Sequence, residues 1–413
     1  MNLKTILHRL GISSLHDFQQ QALDTLLTGH NLMTLMPTSA GKSLVFTAFA
    51  MVRERLVIVL EPHLALELDQ VRQLQAKGVA AACLNSLQSA AERRSTLIRI
   101  EEGELLLLFL TPEMLQNSGV QAALRQTDIA GVMIDEAHCI CKQGPGFRED
   151  YLKIREFVHS LPTVPVVGAF TATATPTTEK YILKQLGMDE AEVIRGGVTR
   201  DNIELRVIEI GHGMGGRKDA DLIELRKREF ICKQLRKHKD ERVIIYTNTI
   251  SRVEKLHKYL CKQGGAAEYY HGKCKDKPAR LERFASGKVK IMVVTNAFGL
   301  GVNIPDIRLV IHHAPLMGLD DYTQEAGRAG RDGKKSSALL LWHQSDFSIN
   351  RRLILENQMD IKGAELRERL DALDALHAYA CEEHDCRWGM IRHFFGEPSG
   401  KRCKKRCDNC KNR

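Results

Sequence analysis

The stretch LMTLMPTSAGKSLVFTAF, residues 32–49, decides the fold. The apolar run Leu32–Met36 predicts a buried strand, and the apolar residues after Lys42 predict a helix. A turn between them places backbone N–H groups and a helix N-terminus where they can bind phosphate oxygens. We expect Lys42 to reach the β- and γ-phosphates of a nucleotide and Ser43 to bind Mg²⁺. The residues predicted to bind the nucleotide in this segment are Thr38, Ser39, Ala40, Gly41, Lys42 and Ser43. Met36 stands where the complete G-x-x-x-x-G-K-S pattern has its first glycine, so a chance match stays open for the segment alone.

A second segment, VMIDEAH at residues 132–138, brings two carboxylates to the end of an apolar run. In open α/β sheets, ligands bind at the carboxyl ends of the strands. Asp135 suits the coordination shell of Mg²⁺, and Glu136 suits the activation of an attacking water. The alternative is an acidic strand end that faces solvent, which the presence of Lys42 upstream disfavours.

Short apolar runs alternate with amphipathic segments along most of the chain, and Leu64–Lys77 is one predicted helix. This alternation is typical of parallel sheets covered by helices, so the predicted class is α/β. The strands predicted for a first unit are Leu32–Met36, Leu56–Leu60, Leu105–Leu110, Gly131–Ile134 and Val164–Ala169. Those predicted for a second unit are Arg242–Tyr246, Ala266–Tyr270, Lys290–Val294, Leu309–His312 and Ser337–Leu341. The glycine-rich stretch Gly211–Asp219 is interpreted as a flexible connector between the units rather than a dinucleotide fingerprint.

Length and composition narrow the class of protein. The 413 residues predict two or three domains, and 43% apolar with 27% charged residues is ordinary for a folded protein. No apolar run approaches the roughly 20 residues of a membrane span, and the N-terminus has no secretory signal pattern. The net charge of +9 suits polyanions such as nucleic acid, but charge alone slightly favours the alternative, a soluble protein that happens to be basic.

The segment QEAGRAGR, residues 324–331, supplies positive charge in the second predicted unit. Arginine can stabilise the γ-phosphate in the transition state of phosphoryl transfer. If the segment is helical, Arg328 and Arg331 share one face. A solvated basic turn is the alternative.

Cysteines crowd the C-terminal region, where five of the eleven lie after residue 380. An odd total without a secretion signal argues for a reducing compartment and for metal rather than a disulfide framework. The cluster comprises Cys381, Cys386, Cys403, Cys407 and Cys410. Free thiols or disulfides remain the alternative.

In its ordered motifs the sequence resembles superfamily 2 helicases, and within them the RecQ family, over nearly the whole chain. The segments that carry the resemblance are Phe18-Gln-Gln-Gln21, PTSAGKS (37–43), LDQVRQLQAKGVAAACLNS (68–86), TPE (111–113), DEAHCI (135–140), FTATAT (170–175), Arg200-Asp-Asn202, VTNAFGLGVNIPD (294–306), QEAGRAGRDG (324–333) and CRW, FFGE and CDNC (386–410).

The resemblance implies two RecA-like lobes, residues 1–205 and 206–345, with ATP between them, and a helical zinc-binding subdomain at 346–413. It implies an ATP-dependent DNA helicase that moves 3′ to 5′ on single-stranded and tailed duplex DNA, with ATP, Mg²⁺ and Zn²⁺ as cofactors. The catalytic residues implied are Lys42, Asp135, Glu136, Gln324, Arg328 and Arg331. Phe18 and Gln21 match the adenine-reading element, and Thr171 and Thr173 match the motif that links hydrolysis to strand movement. The DNA-binding residues implied are Asn85, Thr111, Phe147, Arg148 and Thr295. Cys386, Cys403, Cys407 and Cys410 match the zinc ligands, while Cys381 is spare and His384 and His393 are conceivable substitutes.

The sequence also departs from the family pattern. Gln19 replaces an arginine after the phenylalanine of the first motif, and Gln143 replaces a tryptophan of the loop after DEAH. The chain ends three residues after Cys410, so we expect neither a winged helix nor the small helical domain beyond it. These departures support a rival interpretation, a DNA-stimulated ATPase or translocase that needs a partner to unwind. A second rival is a non-catalytic zinc and nucleic-acid-binding protein. The expected location is the bacterial nucleoid or a eukaryotic nucleus; protein partners are left open, and a monomer is compatible with the sequence.

Overall fold

Two parallel sheets organise the chain in the computed structural model, which describes residues 2–37, 40–62, 64–142, 145–215, 219–296, 298, 304–356, 363–400 and 402–411. Met1–Val198 forms one compact unit, and Thr199–Gly299 with Asn303–Arg413 forms the other. The strands are β1 Leu32–Leu35, β2 Leu56–Leu60, β3 Ala81–Leu84, β4 Leu107–Leu110, β5 Ile129–Ile134, β6 Val166–Thr171 and β7 Glu192–Arg195 in the first unit, and β8 Ile203–Glu209, β9 Arg242–Tyr246, β10 Ala267–Tyr270, β11 Ile291–Val294, β12 Ile307–His312 and β13 Ser336–Trp342 in the second.

Helices connect nearly all of these strands, as parallel pairing requires. In the first unit they are α1 Leu3–Arg9, α2 Asp17–Leu27, α3 Lys42–Arg53, α4 Leu64–Ala76, α5 Ala90–Glu101, α6 Pro112–Leu115, α7 Ser118–Arg125, α8 Cys139–Lys142, α9 Pro145–His159 and α10 Pro176–Leu186. In the second unit they are α11 Ala220–Lys237, α12 Ile250–Lys262, α13 Lys277–Ala285, α14 Leu319–Ala326, α15 Gln344–Glu356, α16 Ala364–Cys381, α17 Arg387–Phe394 and α18 Asp408–Lys411. Among the described residues, no helix is long and apolar enough to cross a membrane.

The first sheet has the order β3-β4-β2-β5-β6-β1-β7, with all neighbours parallel. Alternate side chains of β2 enter separate apolar clusters on its two faces, Ile58 on one and Val57 and Val59 on the other. Burial on both faces explains why its central strands are continuous apolar runs. The strands β1 and β5 are separated only by β6, so the residues that follow them meet at one edge.

The second sheet has the order β10-β11-β9-β12-β13-β8, again with parallel neighbours. A buried ion pair of 2.6 Å between Lys227 and Asp346 joins α11 to α15. The strand β8 forms one edge of the sheet, and β10 forms the other.

The predicted α/β class with two parallel sheets and a C-terminal cysteine cluster is confirmed. Three strands were not predicted, because β3 is short and alanine-rich while β7 and β8 carry charged residues at sheet edges. The strand predicted at Val164–Ala169 begins at Val166 instead, since Pro165 lacks the N–H that a central strand donates.

The interpretation of Gly211–Asp219 as a connector between units is wrong, because this stretch lies inside the second unit between β8 and α11. The strand β8 pairs with β13 along its whole length. The domain limit predicted between residues 205 and 206 therefore falls within β8.

Candidate nucleotide and nucleic-acid sites

The loop after β1 leads directly into α3. Gly41 caps this helix with φ of 75°, a left-handed conformation that favours glycine. A Cβ at this position would lie 2.6 Å from Nε2 of Gln19. Ser43 lies in the first turn of α3, while Thr38 and Ser39 lie outside the described residues.

Lys42 lies between the two carboxylates predicted to share its site. Its Nζ is 3.0 Å from Oδ1 of Asp135 and 2.9 Å from Oε1 of Glu136, and Lys42 and Asp135 are buried. Burial lowers the pKa of the Lys42 ammonium, but the negative charges of Asp135 and Glu136 raise it by a larger amount. The pKa of Lys42 is therefore above the ordinary value. The ammonium therefore stays charged at neutral pH, with acidic oxygens of the hard type that Mg²⁺ prefers beside it.

Glu136 adopts φ of 47°, which is rare for a residue with a side chain. Its backbone N–H donates to Oδ1 of Asp135 at 2.8 Å. Burial raises the pKa of Glu136, but Lys42 and His138 lower it well below the ordinary value. The Glu136 side chain is therefore an anion at neutral pH.

His138 connects this carboxylate to the end of β6. Its Nδ1 is 3.3 Å from Oε2 of Glu136 and 3.1 Å from Oγ1 of Thr171. The Thr171 hydroxyl donates to the carbonyl of Thr173 at 3.2 Å. Burial lowers the pKa of His138, but neighbouring Cys139 and Glu136 raise it to about 10. A continuous set of contacts thus runs from Glu136 to the Thr171–Thr173 turn.

The structure brings Gln19, rather than the predicted Gln21, to the loop after β1. The Gln19 amide donates to the carbonyl of Ala40 at 2.8 Å and accepts from the backbone N–H of His16 at 2.8 Å. Gln21 is exposed on α2. Phe18 is half-buried, stacks on the His16 ring at 5.5 Å and lies close to Gly196. Three consecutive glutamines offer no local signal of which one is buried, so the sequence marked Gln19 only as a departure from the family pattern.

The residues predicted to bind DNA in the first unit differ in their exposure to a surface pocket. Thr111 caps α6 and lines a pocket of about 530 Å³ at the carboxyl edge of the sheet, together with Pro62, Ser86, Glu113, Met114, Gln116 and Asn117. Asn85 is fully buried and donates to Oε2 of Glu67 at 3.1 Å. The Asn85 side chain therefore positions the turn after β3 and does not face the pocket. The side chains of Phe147 and Arg148, and the whole of Gln143, lie outside the described part of the chain.

In the second unit, Thr295 is buried just beyond the end of β11. Gln324 lies on α14, half-buried. The helix ends at Ala326, so Arg328 and Arg331 lie in the turns that follow and not on one helical face.

This arginine-bearing turn is held by a segment to which the sequence assigned no role. Arg200 donates to the carbonyls of Gly327 and Gly330, at 3.2 and 2.9 Å, and Asn202 donates to Gly330 at 2.7 Å. A Cβ on Gly330 would meet the Asn202 amide at 2.5 Å. Arg328 is buried at the same turn. The Arg200–Asn202 segment therefore fixes the backbone from which Arg328 and Arg331 project.

Four cysteine thiols converge near the C-terminus, with all sulfur atoms within 4.8 Å of one another and all four residues buried. They are the predicted Cys386, Cys403, Cys407 and Cys410. Among the described residues, Cys381, His384 and His393 are exposed and stand outside this group. Backbone N–H groups of Gly389 and Cys403 donate to the Cys386 sulfur. Four convergent sulfurs with such donors fit a closed tetrahedral zinc site.

The cysteine cluster also covers the free edge of β8. The Leu205 N–H donates to the carbonyl of Arg406 at 3.0 Å, and the Val207 N–H donates to Asp408 at 2.7 Å. Asp408 in turn accepts from Nε of the buried Arg387 at 3.1 Å. Residues between the metal ligands therefore satisfy strand groups that would otherwise be open to pairing with other chains.

Comparison with known families agrees with this arrangement. Residues 16–181 match the DEAD/DEAH box helicase family, 226–333 match the helicase conserved C-terminal domain, and 344–411 match the RecQ zinc-binding family. The chain is 33% identical to the ATP-dependent DNA helicase RecQ of Bacillus subtilis over 98% of this chain and 66% of that protein. It is 35% identical to the ATP-dependent DNA helicase RecQ of Synechocystis over 78% of this chain and 67% of that protein.

This chain therefore spans about two thirds of the length of the Bacillus subtilis relative. Among solved structures, the DUF1998 helicase MrfA bound to DNA matches with a TM-score of 0.67 at 18% identity, over 96% of this chain and 58% of that one. That likeness shows the fold.

Proposed function

Because this chain belongs to the RecQ family of ATP-dependent DNA helicases, we propose that it hydrolyses ATP to move 3′ to 5′ along single-stranded DNA and to separate tailed duplexes. The observation that carries the proposal is the cluster of the buried Lys42 and Asp135 with the half-buried Glu136 at the carboxyl edge of the first sheet. The chain covers about two thirds of the RecQ relatives, so the activity of the longer proteins is inferred for it.

Each member of the cluster has one task in hydrolysis. Lys42 exchanges its carboxylate contacts for the β- and γ-phosphate oxygens. Asp135, with Ser43, holds Mg²⁺, which when bound neutralises phosphate charge. Glu136, ionised beside His138, orients the attacking water and accepts its proton. Gln19, which binds the loop after β1, and the adjacent Phe18 are assigned to the adenine.

The contacts of His138 provide a route from hydrolysis to movement. His138 contacts both Glu136 and Thr171. A change of partner at Glu136 therefore alters the contacts that His138 can make with Thr171. Thr171 is tied to Thr173, so a change at the carboxylate reaches the end of β6. We assign Thr171 and Thr173 to this coupling.

The arginines of the second unit are assigned to the developing negative charge of the transferred phosphoryl group. Guanidinium groups suit this task because they bind oxygens in a bidentate manner. Arg200 and Asn202 support the turn, and Gln324 lies on the preceding helix. Removal of such an arginine typically lowers the rate of hydrolysis by roughly 10³-fold or more.

DNA is assigned to the pocket lined by Thr111 and Ser86, with Thr295 as the contact of the second unit. Hydroxyl groups bind phosphates without reading bases, so binding is expected to be independent of sequence. Zn²⁺ is assigned to the four cysteines and stabilises the edge of β8. We place the protein with DNA, in a nucleoid or a nucleus.

Strand separation tests this proposal. The substrate is a DNA duplex with a single-stranded tail at either the 3′ or the 5′ end, with ATP and Mg²⁺, and Lys42→Ala is the matched control. We expect the wild type to separate the 3′-tailed duplex only and Lys42→Ala to separate neither. Separation of the 5′-tailed duplex alone would overturn the direction, and equal activity of Lys42→Ala would overturn the assigned site.

A second candidate function is a DNA-stimulated translocase that needs a partner to unwind. It is favoured by Gln143, which replaces an aromatic residue whose stacking on a base is worth roughly 1–3 kcal/mol. A translocase of this kind would leave both tailed duplexes intact in the strand-separation assay. Its ATP hydrolysis would still be faster with single-stranded DNA.

A further inference from the structure

The net positive charge of the protein is confined to its second unit. Residues 1–198 contain 18 Lys and Arg against 21 Asp and Glu, whereas residues 199–413 contain 42 against 30. Within the second unit, residues 252–290 alone contain 11 basic and 4 acidic side chains. This segment comprises most of α12, the edge strand β10, α13 and the turns between them.

Three lysines form a stripe along α12. Lys255, Lys258 and Lys262 are spaced three and four residues apart, which places them on one side of the helix. All three are exposed, and none forms an ion pair within the part of the chain that the structure describes. The opposite side of α12 is buried against the sheet. The stripe is therefore a row of free charges about 10 Å long, at 1.5 Å per residue.

The turn after β10 adds positive charge next to the stripe. Glu254 of α12 lies 3.4 Å from Nε2 of His271, so this turn sits beside the helix. Lys273 and Lys275 follow His271 directly and are exposed. Arg280 is different, because its charge is paired with Glu268.

The chemistry of this surface fits the phosphates of duplex DNA rather than a single strand. Proteins that bind single strands combine basic grooves with aromatic side chains on which bases stack. The half-buried tyrosines of this segment are engaged within the protein. Tyr259 of α12 is covered by the Arg228 guanidinium at 5.6 Å, and Tyr269 of β10 is covered by the Arg280 guanidinium at 3.9 Å. The Tyr270 ring packs edge-on against Phe298 at 5.3 Å. A row of ammonium groups without a stacking surface recognises backbone charge alone.

We propose that the lysine stripe of α12, with the turn after β10, is a docking surface for the phosphate backbone of duplex DNA. The proposal rests on the proposed function, since it supplies a grip on the double-stranded part of a tailed substrate. It assigns a second DNA contact, separate from the single-strand contacts assigned to Thr111 and Thr295.

The salt dependence of binding tests this surface. The probes are a blunt DNA duplex of about 20 base pairs and one of its strands alone. The affinity of the full chain for each is measured by fluorescence anisotropy at several salt concentrations. The test variant is Lys255→Gln/Lys258→Gln/Lys262→Gln, which keeps residues that favour helix. The matched control is Lys4→Gln/Lys180→Gln/Lys184→Gln, which removes three exposed lysines from the first unit.

The slope of log affinity against log salt is negative, and we expect its magnitude to decrease by about 2.7 in the stripe variant. Each lost contact with duplex phosphate removes roughly 0.9 from this magnitude. Binding at about 0.1 M salt should weaken by between 10-fold and 500-fold. The control should keep the slope of the wild type, and both variants should keep its thermal unfolding midpoint.

Equal slopes for the stripe and control variants would overturn the docking surface alone. A reduced slope with a single strand but not with the duplex would overturn the duplex assignment. A wild type that binds neither form of DNA would overturn the proposed function as well.

Discussion

The buried carboxyl group of Glu67 makes the first unit less stable as the pH rises, and Glu67→Gln should remove this loss. Glu67 lies on α4, has no exposed surface and accepts a hydrogen bond from Asn85 at 3.1 Å. Burial raises the pKa of Glu67 to about 8; the Asn85 amide lowers it and Glu113 raises it further. The protonated form is thus the one that fits the folded protein.

The sign and magnitude of this pH dependence follow from the difference between the pKa values of Glu67 in the folded and unfolded chain. A carboxyl group has a pKa near 4.5 in the unfolded chain and about 8 here, so its stabilising contribution is complete below 4.5. It is lost progressively as the pH rises from 4.5 to about 8, because over this range the unfolded chain releases the carboxyl proton while the folded protein keeps it. One pKa unit corresponds to about 1.4 kcal/mol, so the free energy of unfolding falls by roughly 3.5 kcal/mol between about pH 5 and pH 8.

Thermal unfolding of the wild type, Glu67→Gln and an exposed control, Glu190→Gln, tests this prediction. A unit of some 200 residues changes its unfolding midpoint by about 2–4 °C per kcal/mol. From about pH 5 to pH 8, the midpoint of the wild type should therefore fall by roughly 7–14 °C relative to that of Glu67→Gln. Glu190→Gln should follow the wild type. Parallel pH profiles for wild type and Glu67→Gln would refute the reasoning.

Further expected outcomes concern the nucleotide loop, the metal and the core of the second unit. Gln19→Ala should raise the KM for ATP at least several-fold, whereas Gln21→Ala should leave it unchanged, as steady-state kinetics can show. Cys407→Ser should bind less than one zinc per chain by elemental analysis and should aggregate on light scattering, because the edge of β8 loses its cover. Lys227→Met should lower the free energy of unfolding by about 3–5 kcal/mol in urea titrations, because Asp346 keeps a buried charge without its partner.

Much of the fold could be predicted because its signals are local. The apolar runs of β2, β5 and β9 are buried on both faces, so burial and sequence pattern coincide. The edge strands β7 and β8 could not be predicted in this way, because they are half-exposed and carry charges. The position of Gly211–Asp219 within the second unit depends on the pairing of β8 with β13, a long-range contact that no local pattern reveals.

The candidate site also combines residues that local sequence patterns reveal with contacts that they do not. Lys42, Asp135 and Glu136 follow strands with recognisable turns, and strand order brings them together. The support that Arg200 and Asn202 give to Gly330 spans about 130 residues and has no local signature. Asn85 was predicted to contact DNA, yet its partner is Glu67, because burial of a residue in a turn cannot be read from the turn itself.

ATP hydrolysis with and without single-stranded DNA tests the central claim most directly. The protein is the full chain with zinc bound, and the wild type is compared with Glu136→Gln. We predict that the wild type hydrolyses ATP, that single-stranded DNA accelerates it, and that Glu136→Gln loses roughly 10²–10⁴-fold in rate while still binding the nucleotide. A folded, zinc-loaded wild type without hydrolysis, or a Glu136→Gln variant with the wild-type rate, would contradict the account.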